Sequence, residues 1–178
     1  MILYVVRHGK TEWNLENRCQ GISDIPLVQE GRDAALELQP LVSSLDIDVV
    51  ISSPLSRAVD TAKILTNGTI PINIDDRLTE RNWGMNEGMV VDEIDQVDCW
   101  DVVLNTNVQG IERVQDFMAR ISNFLEDIKV RYSDKKVLVV AHSAVLRVIH
   151  YLLGTIPSDG DLTKIEIPNL RIIEYEIK

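Results

Sequence analysis

Cysteine and histidine are scarce in this chain, and their scarcity excludes several classes of protein. The 178 residues include only two cysteines, Cys19 and Cys99, and we expect both to be free thiols of a reducing compartment. There are three histidines, and neither a C-x-x-C nor an H-E-x-x-H spacing occurs. The sequence therefore predicts no disulfide scaffold, no metal site and no cofactor.

Basic residues are also in the minority, and long apolar runs are missing. Lys and Arg number 18 against 28 Asp and Glu, and the net charge of −10 argues against a nucleic-acid partner, which usually needs a basic face. The apolar N-terminal run 1–6 is too short for a signal sequence, and no run approaches the ~18 apolar residues of a membrane span. We expect a soluble, cytoplasmic protein without a nucleic-acid or membrane partner.

What the chain does contain is enough apolar sequence for a packed core. Its hydrophobic fraction of 45% and charged fraction of 26% are ordinary for a globular protein. A length of 178 residues fits one domain, which we expect to span residues 1–178.

The hydrophobic pattern alternates between strands and helices. Short β-branched runs predict strands at 2–6, 49–51 and 137–141, and the more alternating run 172–177 predicts an edge or antiparallel strand. Apolar residues spaced by three and four predict helices between them. This order predicts a three-layer α/β/α sandwich with a mostly parallel sheet. The irregular segment 77–110 predicts an insertion of loops and short helices, with a lid as one interpretation.

Titratable and basic residues follow three of these predicted strands. His8 stands beside Arg7 at the first strand end, Arg57 follows the second, and His142 follows the third. Because ligands bind beyond the carboxyl ends of parallel strands, these side chains are expected to converge. A neutral histidine can act as a nucleophile near pH 7, and arginines can hold the oxygens of a phosphoryl group.

Two other motifs at these strand ends fail on geometry. Gly9-Lys10-Thr11 resembles the end of a P-loop, but the required earlier glycine is replaced by Tyr4, where the strand still runs. The sequence around Ser143 resembles a nucleophile elbow without its two glycines. Its only later histidine, His150, would lie about two helical turns away.

The segment Val5-Val6-Arg7-His8-Gly9-Lys10-Thr11-Glu12-Trp13-Asn14 resembles the opening motif of the histidine phosphatase superfamily, in its phosphoglycerate mutase-like branch. Later segments resemble that family in the same order. They are Arg18 to Gly31, Ser52 to Ala62, Leu78 to Gly88, Gly110 to Arg120, Val140 to His142, and Asn169.

The resemblance implies a role for each matching residue. His8 would be the nucleophile that becomes phosphohistidine, and Glu80 the general acid for the leaving alcohol. The phosphoryl group would be held by Arg7, Asn14, Gln20, Gly21, Arg57, His142 and Ser143. Glu87 is the competing carboxylate, which we interpret as a structural loop residue.

Two positions depart from the family pattern. Lys10 stands where Glu or Gln is usual, and it either adds positive charge beside the site or is a solvated lysine. Ser143 stands where glycine is usual, and we favour a helix-cap role over phosphate contact. Among the other charged residues, Arg147 either reaches the pocket rim or meets solvent, Arg81 is a further candidate for the rim, and His150 is interpreted as structural.

These observations together predict a metal-independent phosphomonoesterase acting on a small phosphorylated metabolite through His8. Phosphoglycerate mutase-type transfer is the first alternative, although this chain is shorter than the cofactor-dependent mutases. A catalytically inactive phosphate-binding regulatory module is the second, and a homodimer is left open.

Overall fold

A central sheet carries the fold in the computed structural model, which describes residues 1–95, 99–102, 105, 110–154 and 162–178. Within these residues the sheet has five strands in the order β3-β2-β4-β1-β5. Their bounds are β1 Ile2–Arg7, β2 Val49–Ser52, β3 Ile72–Ile74, β4 Lys136–Ala141 and β5 Ile172–Glu176.

The first four strands are parallel, and β5 pairs antiparallel with β1 at one edge. This confirms the predicted edge strand and the mostly parallel sheet. The three-residue strand β3 was not predicted. It is too short for a period, it follows Pro71, and both Asn73 and Ile74 are exposed.

Five α-helices and four 3₁₀ turns are found in the described part of the chain. The helices are α1 Glu12–Leu15, α2 Gln29–Ser44, α3 Ser56–Leu65, α4 Val114–Arg131 and α5 Ser143–Leu153. The 3₁₀ turns are Asp76–Leu78, Gly84–Asn86, Val91–Glu93 and Leu162–Lys164. None of the described helices is both long and apolar enough to cross a bilayer.

Helices cover both faces of the sheet because successive side chains along a strand point to opposite faces, so one strand contributes to two cores. Leu3 and Val5 of β1 belong to one core with residues of α4 and α5, including the fully buried Phe117. Tyr4 and Val6 belong to the other core with residues of α2 and α3. Truncating a buried phenylalanine to alanine lowers the free energy of unfolding by about 3–5 kcal/mol, so the sheet and the helices packed on it stabilise each other. The predicted three-layer α/β/α fold is confirmed.

The crossing connections place a crevice between β1 and β4. The chain leaves β1 toward α2 on one face and leaves β4 toward α5 on the other face. Such a reversal is the position where open α/β sheets bind ligands. His8 and His142 are the first residues after these two strands.

Candidate active site

A cavity of about 390 Å³ opens at the carboxyl ends of β1 and β4. This size suits a small metabolite. Most of the residues proposed from sequence line it, namely Arg7, His8, Asn14, Gln20, Gly21, Arg57, Glu80 and Ser143. Arg147 and Asn169 also line it.

The main chain of His8 is fixed from three sides. Its amide donates to the Ala141 carbonyl at 3.0 Å, and the Asn169 side-chain amide donates to its carbonyl at 2.7 Å. The next amide, of Gly9, donates to the Thr61 hydroxyl at 3.0 Å. The roles of Thr61 and Asn169 were missed from sequence because nothing local shows their distant partner.

Hydrogen bonding fixes the tautomer of His8. Its Nδ1 lies 2.7 Å from the Gly9 carbonyl oxygen, which can only accept, so Nδ1 carries the proton. The lone pair is therefore on Nε2. Burial lowers the pKa of His8 well below 6.5, and the charges of Arg57 and Arg7 lower it further. The ring is neutral at pH 7 and can act as a nucleophile.

Two arginines, the fully buried Arg57 and the partly buried Arg7, supply positive charge beside His8. Arg57 donates through its Nη atoms to the carbonyls of Ser23 and Gly21, at 2.6 and 2.7 Å. Burial lowers its pKa to about 10, which leaves it a cation at neutral pH. Arg7 donates to the Ile167 carbonyl at 2.8 Å, and its buried Nε has no partner in the described structure. Hydrogen bonds to backbone carbonyls thus fix the orientation of both guanidinium groups.

His142 lies directly behind these groups. Its ring centroid is 5.1 Å from that of His8. Nδ1 accepts from Arg57 Nε at 3.2 Å, and Nε2 lies 2.7 Å from the hydroxyl oxygen of Ser53. Because guanidinium only donates, Nε2 carries the proton. Burial lowers the pKa of His142 well below 6.5, with Arg57 adding to the effect.

The ring of His142 is fully buried and is not among the described residues that line the cavity. Its role as a phosphoryl ligand therefore stays a prediction, whereas its contact with Arg57 is observed. We call the cavity-lining Arg7, His8 and Arg57, together with His142 that contacts Arg57 beneath them, the pocket floor.

The two candidate carboxylates have different surroundings. Glu80 lines the cavity, and its oxygens accept from the amides of Arg81 and Ala144 at 3.0 and 3.2 Å. Glu87 instead accepts from the amides of Ile22, Ser23 and Trp83, at 3.0, 2.9 and 3.2 Å. Glu87 joins two loops, which confirms its structural interpretation.

The loop after α1 places further predicted residues on the cavity. Gly21 has φ +52, a conformation that favours glycine. A Cβ at this position would also collide with the Glu87 carboxylate. Gln20 accepts from the Thr11 hydroxyl at 2.9 Å. Asn14 forms a capping box with Thr11 at the start of α1.

Lys10 is not among the described residues that line the cavity. Its ammonium lies 2.6 Å from Glu30, and both side chains are exposed on a separate surface groove. Of the two interpretations offered by the sequence, the solvated lysine is confirmed. The side chain points toward α2, whose second residue is Glu30.

Two expectations for other residues were wrong. The N-cap of α5 is His142, without a side-chain capping bond, so Ser143 is the first helical residue and lines the cavity instead of capping. Arg81 is fully buried and donates to the Glu112 carbonyl at 3.0 and 2.7 Å, which removes it from the rim.

Two other residues agree with their interpretation from sequence. Arg147 lines the cavity, as a rim residue would. His150 is hydrogen-bonded to the Tyr175 hydroxyl at 2.7 Å, as a structural residue would be.

A second group of cavity residues was not predicted from sequence. Trp13, Trp83 and Trp100, which are all the tryptophans of the chain, line the cavity with Val91 and Ile94. We call these five residues the tryptophan wall. The signal that could have found part of this group was the presence of Trp83 and Trp100 in the irregular sequence segment 77–110.

Cys19 also lines the cavity, but as an unreactive thiol. Burial raises its pKa to about 12, and the neighbouring carboxylates of Glu80 and Glu87 act in the same direction. A thiol in this state is a poor nucleophile. His8 is therefore the better nucleophile on this cavity.

Comparison with known proteins agrees with this geometry. The family model of the histidine phosphatase superfamily (branch 1) matches residues 3–178. The chain belongs to this superfamily. The match includes every residue of the pocket floor together with Glu80.

Named relatives include a phosphatase and a mutase. The chain is 38% identical to the uncharacterized phosphatase PhoE of Bacillus subtilis, over 88% of this chain and 77% of the relative. It is 33% identical to the probable phosphoglycerate mutase GpmB of Escherichia coli, over 81% of this chain and 70% of the relative. The solved structure of Bacillus stearothermophilus YhfR superposes with a TM-score of 0.83 at 31% identity, covering 99% of this chain and 91% of that one.

Proposed function

We propose that this chain is a metal-independent phosphomonoesterase that hydrolyses a small phosphorylated metabolite through a phosphohistidine at His8. The observation that carries the proposal is the bond from His8 Nδ1–H to the Gly9 carbonyl, 2.7 Å long. It leaves the lone pair on Nε2 of a residue that lines the same cavity as Arg7 and Arg57. Family membership and the phosphatase relative support the same reaction.

Two steps complete the reaction. Arg7 and Arg57 hold the equatorial oxygens while Nε2 attacks phosphorus and the bond from phosphorus to the leaving oxygen breaks. Protonated Glu80 donates its proton to that oxygen and releases the alcohol. In the second step Glu80 takes a proton from water, whose oxygen attacks phosphorus. The bond from phosphorus to Nε2 then breaks, and phosphate leaves neutral His8 behind.

The mutase relative favours a second candidate, in which the phosphohistidine returns its phosphoryl group to another hydroxyl. The same floor and the same Glu80 would serve, because only the acceptor changes from water to an alcohol. An inactive binding module is less favoured, because His8, Arg7, Arg57 and Glu80 are all retained on one cavity. We propose a cytoplasmic location, which the buried thiols Cys19 and Cys99, not joined by a disulfide, support.

A panel of phosphate monoesters with a chelator present tests the proposal, with His8→Ala as control. Release of inorganic phosphate by the wild type and loss of release in His8→Ala is the expected result. Conversion of 3-phosphoglycerate to the 2-isomer without phosphate release would favour the mutase. Full activity in His8→Ala, or a strict requirement for added metal, would contradict the proposal.

A further inference from the structure

The tryptophan wall has no part in the phosphoryl chemistry described above. Aromatic residues make up only 5% of the chain, yet all three tryptophans line the same cavity as His8. Arginines and amides suffice to hold a phosphoryl group. The indoles must therefore serve either packing or the organic part of a substrate.

Part of the wall is rigid before any ligand binds. The guanidinium of Arg81 lies 4.8 Å from the ring centroid of Trp100 and 5.2 Å from that of Trp83. The guanidinium of Arg147 lies 5.0 Å from the Trp100 ring. Trp83 also meets Trp100 edge to face, with centroids 6.3 Å apart. Side chains held this way lose little freedom when they bind a ligand, which favours affinity.

The rest of the wall leaves apolar surface open. Trp13, Val91 and Ile94 are each only partly buried, and each lines the cavity. The amide of Val91 donates to the Asn17 carbonyl at 2.8 Å, which fixes this part of the wall against the loop after α1. A partly open indole beside two aliphatic side chains is a surface on which a flat ring can stack.

We propose that the tryptophan wall is a subsite for an aromatic ring of the leaving alcohol, so that the preferred substrates are phosphate monoesters of ring-bearing alcohols. This inference rests on the phosphatase activity proposed above. Partial burial of one ring corresponds to at least about a tenfold gain in affinity.

Three esters of primary alcohols test the subsite without changing the leaving-group chemistry. These are benzyl phosphate, ethyl phosphate and glucose 6-phosphate. The expected kcat/KM is at least about tenfold higher for benzyl phosphate than for the other two, mostly through KM. Equal values, or a preference for the sugar ester, would overturn the inference.

Variants of Trp13 assign the preference to the wall. Trp13→Ala should reduce the ratio of benzyl to ethyl phosphate toward one while leaving kcat for ethyl phosphate nearly unchanged. Trp13→Phe should keep most of the ratio, because it retains a ring. Ile94→Ala provides a second, smaller truncation with a partial loss. A ratio that survives both Trp13→Ala and Ile94→Ala would contradict the assignment.

Binding of phosphonates separates the subsite from catalysis. Because every tryptophan of the chain lies on the cavity, intrinsic fluorescence reports binding directly. Benzylphosphonate should bind at least about tenfold more tightly than ethylphosphonate. That result without turnover of any ester would refute the proposed function and retain the subsite. Equal binding of the two phosphonates would refute the subsite, even in an active phosphatase.

Discussion

The pocket floor and the tryptophan wall meet in one cavity but are built by different parts of the fold. Arg7, His8 and His142 lie at or just after the ends of parallel strands, and Arg57 lies in the first turn of α3. The wall comes from α1, which holds Trp13, and from Trp83, Val91, Ile94 and Trp100. Positions fixed by the sheet supply the reacting groups, whereas loop positions supply contacts that a substrate either uses or does not use. Floor substitutions should therefore affect every substrate, and wall substitutions only some.

The largest effect is expected for His8→Asn. Loss of the nucleophile should lower kcat by at least about 10⁴-fold for every ester that the wild type hydrolyses. Steady-state phosphate release with benzyl and ethyl phosphate measures this directly. A loss of activity confined to one of the two esters would contradict the claim that floor substitutions affect every substrate.

Glu80→Gln should give a loss that depends on the leaving group. For ethyl phosphate, whose alkoxide leaves poorly, the rate of the first step should fall by about 10²–10⁴-fold, whereas that of 4-nitrophenyl phosphate should change little because its leaving group needs no proton. Release of the two alcohols in a single turnover at the same pH is the measurement, because loss of the Glu80 base also slows the second step for every ester.

Glu87→Gln is the matched control for that variant. It weakens the bonds to Ser23 and Trp83, so it should lower the free energy of unfolding by about 1–3 kcal/mol and show no leaving-group dependence. If Glu87→Gln showed the dependence and Glu80→Gln did not, the assignment of the general acid would be wrong.

The buried histidines of the floor should make stability depend on pH. Burial lowers the pKa of both His8 and His142 well below 6.5, whereas both take up protons below about pH 6.5 in the unfolded chain. The unfolded chain then binds more protons, so the free energy of unfolding falls as pH decreases below about 6.5. The limiting slope is about 1.4 kcal/mol per pH unit for each ring.

Urea unfolding between about pH 7.5 and about pH 5.5 measures this slope. His142→Asn should give a smaller slope than the wild type because one of the two rings is gone. An identical slope in the variant would mean that His142 takes up a proton in the folded protein.

The smallest effect is expected outside both regions. Lys10→Gln removes an exposed ion pair with Glu30, so kcat/KM should change by less than about twofold, and the free energy of unfolding by less than about 1 kcal/mol. Kinetics over a range of salt concentrations test this. A larger, salt-dependent change would place Lys10 in the electrostatic field of the site.

The sequence predicts the floor better than the wall, for a physical reason. Parallel strands end at the same edge of the sheet, so strand assignment places both His8 and His142 at that edge. The four main strands follow from apolar runs, whereas β3 does not, because three residues form no period. The distant carbonyl partners of Arg57, at Ser23 and Gly21, follow only from the folded chain.

Side-chain direction in irregular segments was beyond sequence reasoning. Lys10 is two residues from His8 and yet faces away from the cavity, while Trp83 and Trp100 are distant in sequence and line it. Ser143 was assigned a cap from its residue type, but the structure gives the N-cap to His142. Such directions depend on tertiary packing, which no local pattern specifies.

Trapping the covalent intermediate tests the central claim most directly. Wild-type protein is mixed with a phosphate monoester, quenched in alkali to preserve a phosphoramidate, and examined by phosphorus NMR and peptide mass spectrometry. The hydrogen bond from Nδ1 predicts phosphate on Nε2 of His8, and none in His8→Asn. Phosphate on Nδ1 of His8 or on another residue would contradict the account, and so would steady turnover with no phosphorylated protein.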